Sequence, residues 1–448
     1  MAATGKVLIS GGTVFDSLTG TMSRQDILID GDHIEVVAPS IDAPDARRVD
    51  ATGKWVTPGF IDMHVHAGAV GMETLPIFVG HGVTTVRDLG GDQARLKQMK
   101  LDVEMGKVVG PNIVYAGPLL QQFPAFTFES EERGSAPGNR PFRTDADAIE
   151  GVRRLIEEGG VGSLKLYTSI RPPIAAAILK AAEGRVPVTG HLGLTPSSFV
   201  IERGIGGLEH VAPSLIRDLA PEGSLPSLDS EKAPTPSEIL QAWAKVDLAG
   251  PLVERWLKLF VEKKVALTPT MTIGPARPRP DDRRLGLLPI SLASAQSGGR
   301  GGGGGPLGTE EEIAKASAGQ RGIMQLIYRE GGEMVVGTDL LPGGLPGAAY
   351  HIEMSAFVRR GVAAADVLKM ATSVAARHLW RDDLGVIAAG KRADLVILDR
   401  DPVADIANVE SISQVMRGGE LHEAAKLLAV ADQDVDRFFP AVPAVLKL

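Results

Sequence analysis

The chain has 448 residues, enough for one large α/β barrel with an accessory module or for two to three smaller domains. Its 44% hydrophobic and 23% charged residues are ordinary for a globular protein, and a net charge of −8 without any basic block excludes a nucleic-acid footprint. The absence of cysteine excludes disulfides and thiolate metal sites, so a transition-metal site must use histidine, carboxylate or a modified lysine.

No charged segment followed by an apolar one opens the chain, and no apolar run reaches membrane-spanning length. We therefore expect a cytoplasmic protein, a homo-oligomer, acting on a small molecule, with neither nucleic acid nor membrane as partner.

From Lys6 to about Thr57 short β-like runs alternate with turn residues, and Asp30-Gly31-Asp32 between two apolar runs signals a hairpin that leaves His33 at its exit. Next comes Val56-Thr57-Pro58-Gly59-Phe60-Ile61-Asp62-Met63-His64-Val65-His66. Side chains alternate along a strand, so His64 and His66 point the same way and one strand end offers two metal ligands.

Strands and helices then alternate, the pattern of a parallel sheet or barrel. Further strands are expected at Thr84–Asp88, Asn112–Ala116, Ser163–Tyr167, Val186–His191, Gly207–Val211, Ala266–Thr270 and Met334–Asp339, which with the first makes eight, as a (β/α)8 barrel requires. Helices are expected over Asp145–Glu158, Ile174–Ala182, Ile239–Lys263, Glu310–Glu330, Tyr350–Arg360 and Ala363–Trp380. Leu119–Phe142, with Phe123, Phe126 and Phe128, reads as a long connection, as do Ser214–Ser237 and Ile273–Pro306; the last ends in a glycine run, 298–305, that reads as a flexible loop. The short strands after Leu384 are expected to complete the small sheet begun at the N-terminus. The predicted organisation is a β-sandwich from 1–57 and 374–422, a barrel over 58–373 and a partly helical tail, 423–448.

Five of the expected strands end in residues that suit metals: His64 and His66, Lys165, His191, His210 and Asp339. Strand C-termini open at one face of a barrel, so these side chains converge however far apart in sequence. Four histidines and one aspartate exceed one tetrahedral zinc and suit two ions. Lys165 is either a salt-bridged lysine or, as a carbamate of CO2, a bridging carboxylate.

Over nearly its whole length the chain resembles the metal-dependent amidohydrolase superfamily, through Pro58–His66, Gly82–Asp88, the Thr338-Asp339 strand end and Gly390-Lys391-Arg392-Ala393-Asp394-Leu395-Val396. It looks closest to the imidazolonepropionase-like and prolidase-like members with a binuclear site and a carboxylated lysine. The resemblance implies that His64, His66 and Asp339 hold one divalent metal, zinc by expectation, that His191 and His210 hold the other, and that carboxylated Lys165 bridges them. It also implies an amidase or peptidase, cleaving a dipeptide or an N-acyl or N-aroyl amino acid, in which a metal-bridging hydroxide attacks and Asp339 shuttles the proton.

A mononuclear deaminase or imidazolone-ring hydrolase, or a lactonase or other esterase, are the alternatives within the superfamily, and a scaffold protein that has lost its metal is the alternative outside catalysis. Tyr167, two residues past Lys165, is read as an oxyanion or substrate contact or as core packing. The Phe-bearing connection could line an apolar pocket, and Arg277, Arg279, Arg283 and Arg284 could clamp a carboxylate or simply be solvated. His81 reads as structural, His351 and Glu353 as supporting or capping residues, and His378 and His422 as peripheral.

Overall fold

The computed structural model describes residues 5–123, 138–228, 233–272, 308–341 and 344–433. Phe126, Phe128, the four arginines 277–284 and the glycine run 298–305 lie outside them.

Both chain ends build one sheet. Strands β1 (Val7–Asp16), β2 (Thr21–Asp30), β3 (His33–Ala38), β4 (Arg47–Asp50) and β5 (Trp55–Pro58) pair with three from the far end of the chain. The β2–β3 hairpin turns at Gly31, whose φ of 60° suits glycine. β1 is the branch point: its first half pairs β4 and its second half pairs β5, on either side of an irregularity between Ile9 and Gly12. Val7, Ile9, Ile27, Val56, Leu395 and Ile397 pack as a separate apolar core, because alternation along each strand sends these residues to one face.

The barrel follows. Its strands are β6 (Phe60–Val65), β7 (Val83–Asp88), β8 (Asn112–Tyr115), β11 (Leu164–Leu166), β12 (Val188–Gly190), β13 (Gly207–Glu209), β14 (Ala266–Thr268) and β15 (Glu333–Met334), all parallel to their neighbours. Closure runs through Gly162 N to Tyr115 O (3.0 Å) on one seam. On the other, extended chain beyond β15 lies along β6, with Met63 N to Val336 O at 3.0 Å and Asp339 N to His64 O at 2.7 Å.

The structure corrects four of the sequence expectations. The connection Leu119–Phe142 begins and ends in strands, β9 (Leu119–Gln122) and β10 (Asn139–Phe142), parallel to each other, with Leu120 opposite Leu166 of β11. Both are too short and polar to show alternation. The stretch after the sixth barrel strand starts directly as a helix, Val211–Leu219. The helix expected over Ile239–Lys263 is two, Pro236–Trp243 and Pro251–Glu262; Pro251 has no N–H to donate and fits only a first turn, so the helix restarts there. Likewise Ala363–Trp380 divides at Thr372 (φ −134°, ψ −94°) into Ala364–Met370 and Ser373–His378.

The other expected helices are present, including Glu310–Arg329, which starts in a reciprocal Thr309/Glu312 capping box, a feature that contributes about 1 kcal/mol; Gln93–Glu104 and Ser197–Ile201 are helices beyond those expected. Strands β16 (Leu395–Leu398), β17 (Ile412–Arg417) and β18 (Glu420–Glu423) extend the first sheet, and a helix, Ala424–Gln433, then packs on the helix Leu75–Gly80. No described helix is long and apolar enough to cross a membrane.

Candidate metal centre

The strand ends bring His64, His66, Lys165, His191, His210 and Asp339 into one buried cluster. His64 Nε2 and His66 Nε2 stand 3.2 and 3.1 Å from Asp339 Oδ1, and His210 Nε2 stands 3.7 Å from Asp339 Oδ2. The His191 and His210 rings lie 4.4 Å apart, His64 and His210 5.1 Å. Lys165 Nζ is 2.8 Å from His64 Nε2. The Tyr167 ring sits 5.0 Å from that of His191.

Each histidine that can be assigned a tautomer has its other nitrogen taken. His66 Nδ1 faces the carbonyl of Gly90 at 2.9 Å, so it carries the proton. His64 Nδ1 lies 2.8 Å from the carboxylate of Glu209, which favours a proton on that nitrogen by charge although neither atom meets hydrogen-bond geometry. His66 Nε2 therefore turns its lone pair to Asp339 Oδ1, an oxygen buried without a hydrogen bond, and His64 Nε2 stands between that oxygen at 3.2 Å and Lys165 Nζ at 2.8 Å. Acceptors facing acceptors in a buried site repel unless a cation lies between them. Among the described residues, His64, His66 and Asp339 form the one group whose ligand atoms all lie within 4.8 Å of one another. The donor set fits a divalent metal.

Burial holds the histidines neutral: it pushes His64 down to about 4, His210 to about 3 and His191 well below the usual value. His66 is the exception, because contact with Asp339 outweighs burial and raises it. Burial opposes ionisation of Asp339, but the surrounding histidines outweigh it and keep the carboxylate charged. Burial lowers Lys165 and raises Tyr167 to about 12.

The backbone is strained where the candidate ligands sit. Five described non-glycine residues have positive φ, and three of them are His210 (63°), Thr270 (48°) and Asp339 (50°). Each such conformation costs about 1–3 kcal/mol and persists only where the surroundings enforce it. At His210 the consequence is direct. Alternation would send Glu209 and His210 to opposite faces; the kink lets Glu209 reach His64 Nδ1 while His210 turns toward Asp339. Gly337 permits the neighbouring approach, since a Cβ there would stand 3.0 Å from both the Cβ and the N of His64.

The sequence did not single out the residues that hold the candidate ligands. Glu209, fully buried, takes Arg87 Nη2 at 2.7 Å and Thr189 Oγ1 at 2.5 Å on Oε1 and faces His64 with Oε2. Burial opposes its ionisation, but Arg87 and His64 outweigh this and keep it charged. Asp62 accepts from the N–H groups of His64 (3.2 Å) and Thr338 (3.0 Å), tying both ligand strands together. Asp88 accepts from Gly68 and Gly90, both at 3.1 Å, and so fixes the carbonyl that orients His66. The available signal was a charge inside an otherwise apolar barrel strand, as in Gly207-Leu208-Glu209-His210-Val211.

The other singled-out residues lie elsewhere. His33 is exposed beside Asp32, and His378 pairs with Glu333 at 2.5 Å. His422 is on β18. Arg143 Cζ stands 4.0 Å from the centroid of the Phe123 ring. His81 caps a helix end and its carbonyl accepts from His351 at 2.9 Å.

A closed α/β barrel whose strand C-termini present a buried His-His-Asp centre defines the class: a barrel built for metal chemistry at that face. More specifically, the chain belongs to the amidohydrolase family, whose model matches residues 55–218 and 290–422. A dihydroorotase from Streptococcus thermophilus is 45% identical over 60 residues, a match that spans 13% of this chain and 14% of that enzyme. Adenine deaminase 2 from Rhizobium etli is 25% identical over 409 residues, 88% of this chain and 53% of its own length. The crystal structure of a prolidase complexed with N-methylphosphonate-L-proline shares the fold, with a TM-score of 0.67 at 23% identity, covering 93% of this chain and 99% of the other.

Proposed function

We propose that the chain is a metal-dependent hydrolase of a linear amide bond, in a dipeptide or an N-acyl or N-aroyl amino acid. The observation that carries this is Asp339: an ionised, buried carboxylate with one oxygen unpaired, facing the Nε2 atoms of His64 and His66 at the open end of a barrel.

In this reading His64, His66 and Asp339 hold one divalent cation, zinc by preference, and His191 and His210 a second. Such ions, when bound, would polarise the scissile carbonyl and acidify water. Asp339 accepts the proton of the attacking water and returns it to the leaving amine. Tyr167, raised to about 12 and so protonated at neutral pH, donates toward the developing oxyanion. Carboxylated Lys165 would supply a ligand to both ions. As an ammonium it would compete for His64 Nε2; burial favours the neutral amine, whose nitrogen can bond to the carbon of CO2 and lose a proton to give a carbamate. The competing cation thereby becomes an anionic ligand.

A second reading is supported by the similarity to adenine deaminase 2 and by the tight three-ligand group, which serves a single ion. Hydrolysis of X-Pro dipeptides, N-acyl and N-aroyl amino acids, a lactone and an aminated heterocycle, after loading with Zn2+ and bicarbonate, separates the two. Free amino acid released by the parent and not by Lys165→Ala is the expected result. Ammonia release that survives Lys165→Ala overturns it in favour of the mononuclear deaminase.

A further inference from the structure

The helix Ala348–Arg359 sends one fully buried carboxylate, Glu353, to the exit of β14. Its Oε1 accepts from Met271 N at 2.8 Å and its Oε2 from Thr272 N at 2.9 Å. The first of these N–H groups belongs to the peptide unit that follows Thr270, so the carboxylate sets the ψ of Thr270. That residue is β-branched and has a φ of 48°, a conformation it rarely adopts unaided. Its Oγ1 lies 2.6 Å from His210 Nδ1. Two neighbours on the same helix anchor the helix elsewhere: Tyr350 donates to Ile61 O at 2.9 Å and His351 bonds His81 O at 2.9 Å.

We infer that Glu353 is a positioning residue for His210: it clamps the Thr270–Thr272 turn, which holds the Thr270 hydroxyl on Nδ1 and leaves Nε2 directed at Asp339 as a cation ligand. The inference rests on the proposed role of His210 in holding a divalent cation. It requires a carboxylate specifically, because two donors need two acceptor oxygens. An amide of the same shape supplies one acceptor and turns an NH2 against the second N–H.

The test uses the full chain, stripped and titrated with Co2+, reading stoichiometry, affinity and the visible spectrum of the bound ion, with melting temperature alongside. Glu353→Gln and Thr270→Val, which deletes only the hydroxyl, should each weaken one of the bound ions roughly tenfold to a hundredfold and alter its spectrum. The double variant should be no worse than the more severe single one, since both act through the same nitrogen. A Glu353→Gln protein that melts earlier but binds Co2+ with parental affinity and spectrum reduces Glu353 to a structural anchor and overturns the inference. If Glu353→Gln does not fold, Thr270→Val decides: parental Co2+ binding by that variant overturns the inference. A parent that takes up no Co2+ overturns the functional reading itself, and the inference with it.

Discussion

Two sets of buried and half-buried histidines invite comparison. His64, His66, His191 and His210 line the open end of the barrel; His81 and His351 meet between two helices, with ring centroids 5.3 Å apart. Burial depresses members of both sets, His64 and His351 to about 4, His210 and His81 to about 3, with His66 raised by its contact with Asp339. Burial and a shifted pKa therefore do not distinguish a site from a packed pair. The difference lies in what faces the rings. In the first set, carboxylates stand on both sides, Glu209 behind His64 and Asp339 in front, on a backbone forced to positive φ. The second set finds a ring contact and the carbonyl of His81. A neutral imidazole with a carbonyl partner is satisfied, whereas a lone pair turned to a carboxylate needs a cation.

The comparison can be broken most directly by substitution on each side. Asp339→Asn should lower kcat about 10³-fold, within the range for loss of a proton-transfer group, while His351→Asn should leave kcat close to parental; steady-state kinetics on the same amide substrate decides. An equal loss in both would erase the distinction. Cation removal comes next. Chelation should destabilise the parent by about 4 kcal/mol where the ion had been at a thousand times its Kd, read as a fall in melting temperature. The shift should persist in His81→Asn and shrink in Asp339→Asn, which removes one ligand of one ion.

Glu209→Gln sharpens the point about the rear carboxylate. It keeps the shape, removes the charge facing His64 Nδ1 and leaves the Arg87 charge without its carboxylate. Cation affinity measured by competition with a chelator should fall about 10–100-fold. The smallest effect is on the second set and concerns pH. His81 and His351 titrate below their normal 6.5 when folded, so the unfolded chain binds more protons between pH 6.5 and about 4, and stability falls as pH falls through that window. Between pH 6.5 and 5 each contributes about 1.5 kcal/mol of this loss. Asp62 and Glu353, both raised to about 7 by burial, act with the opposite sign, costing stability as pH rises from their ordinary values toward 7. Denaturant titrations of the cation-free protein at pH 5 and 6.5 should show the smaller pH dependence in His81→Asn.

The sequence by itself determined the period of the barrel, the Asp30-Gly31-Asp32 hairpin and the joining of both chain ends, because period-two alternation and turn residues are local properties of the chain. It also placed six chemistry-bearing side chains at strand ends, and closure of the barrel brings all six into one cluster. Where segments were short, as at β9 and β10, or where a proline restarted a helix, as at Pro251, the local pattern misled.

Only the tertiary structure decided which atom faces which. Glu209, Asp62, Asp88 and Glu353 are separated in sequence from the groups they orient or adjacent to them on the wrong face, so periodicity could not connect them. Their pairing depends on barrel closure along Met63 to Val336 and on the enforced positive φ of His210, Thr270 and Asp339. Such strain has no signature in a single sequence, because it is imposed by packing from other parts of the chain.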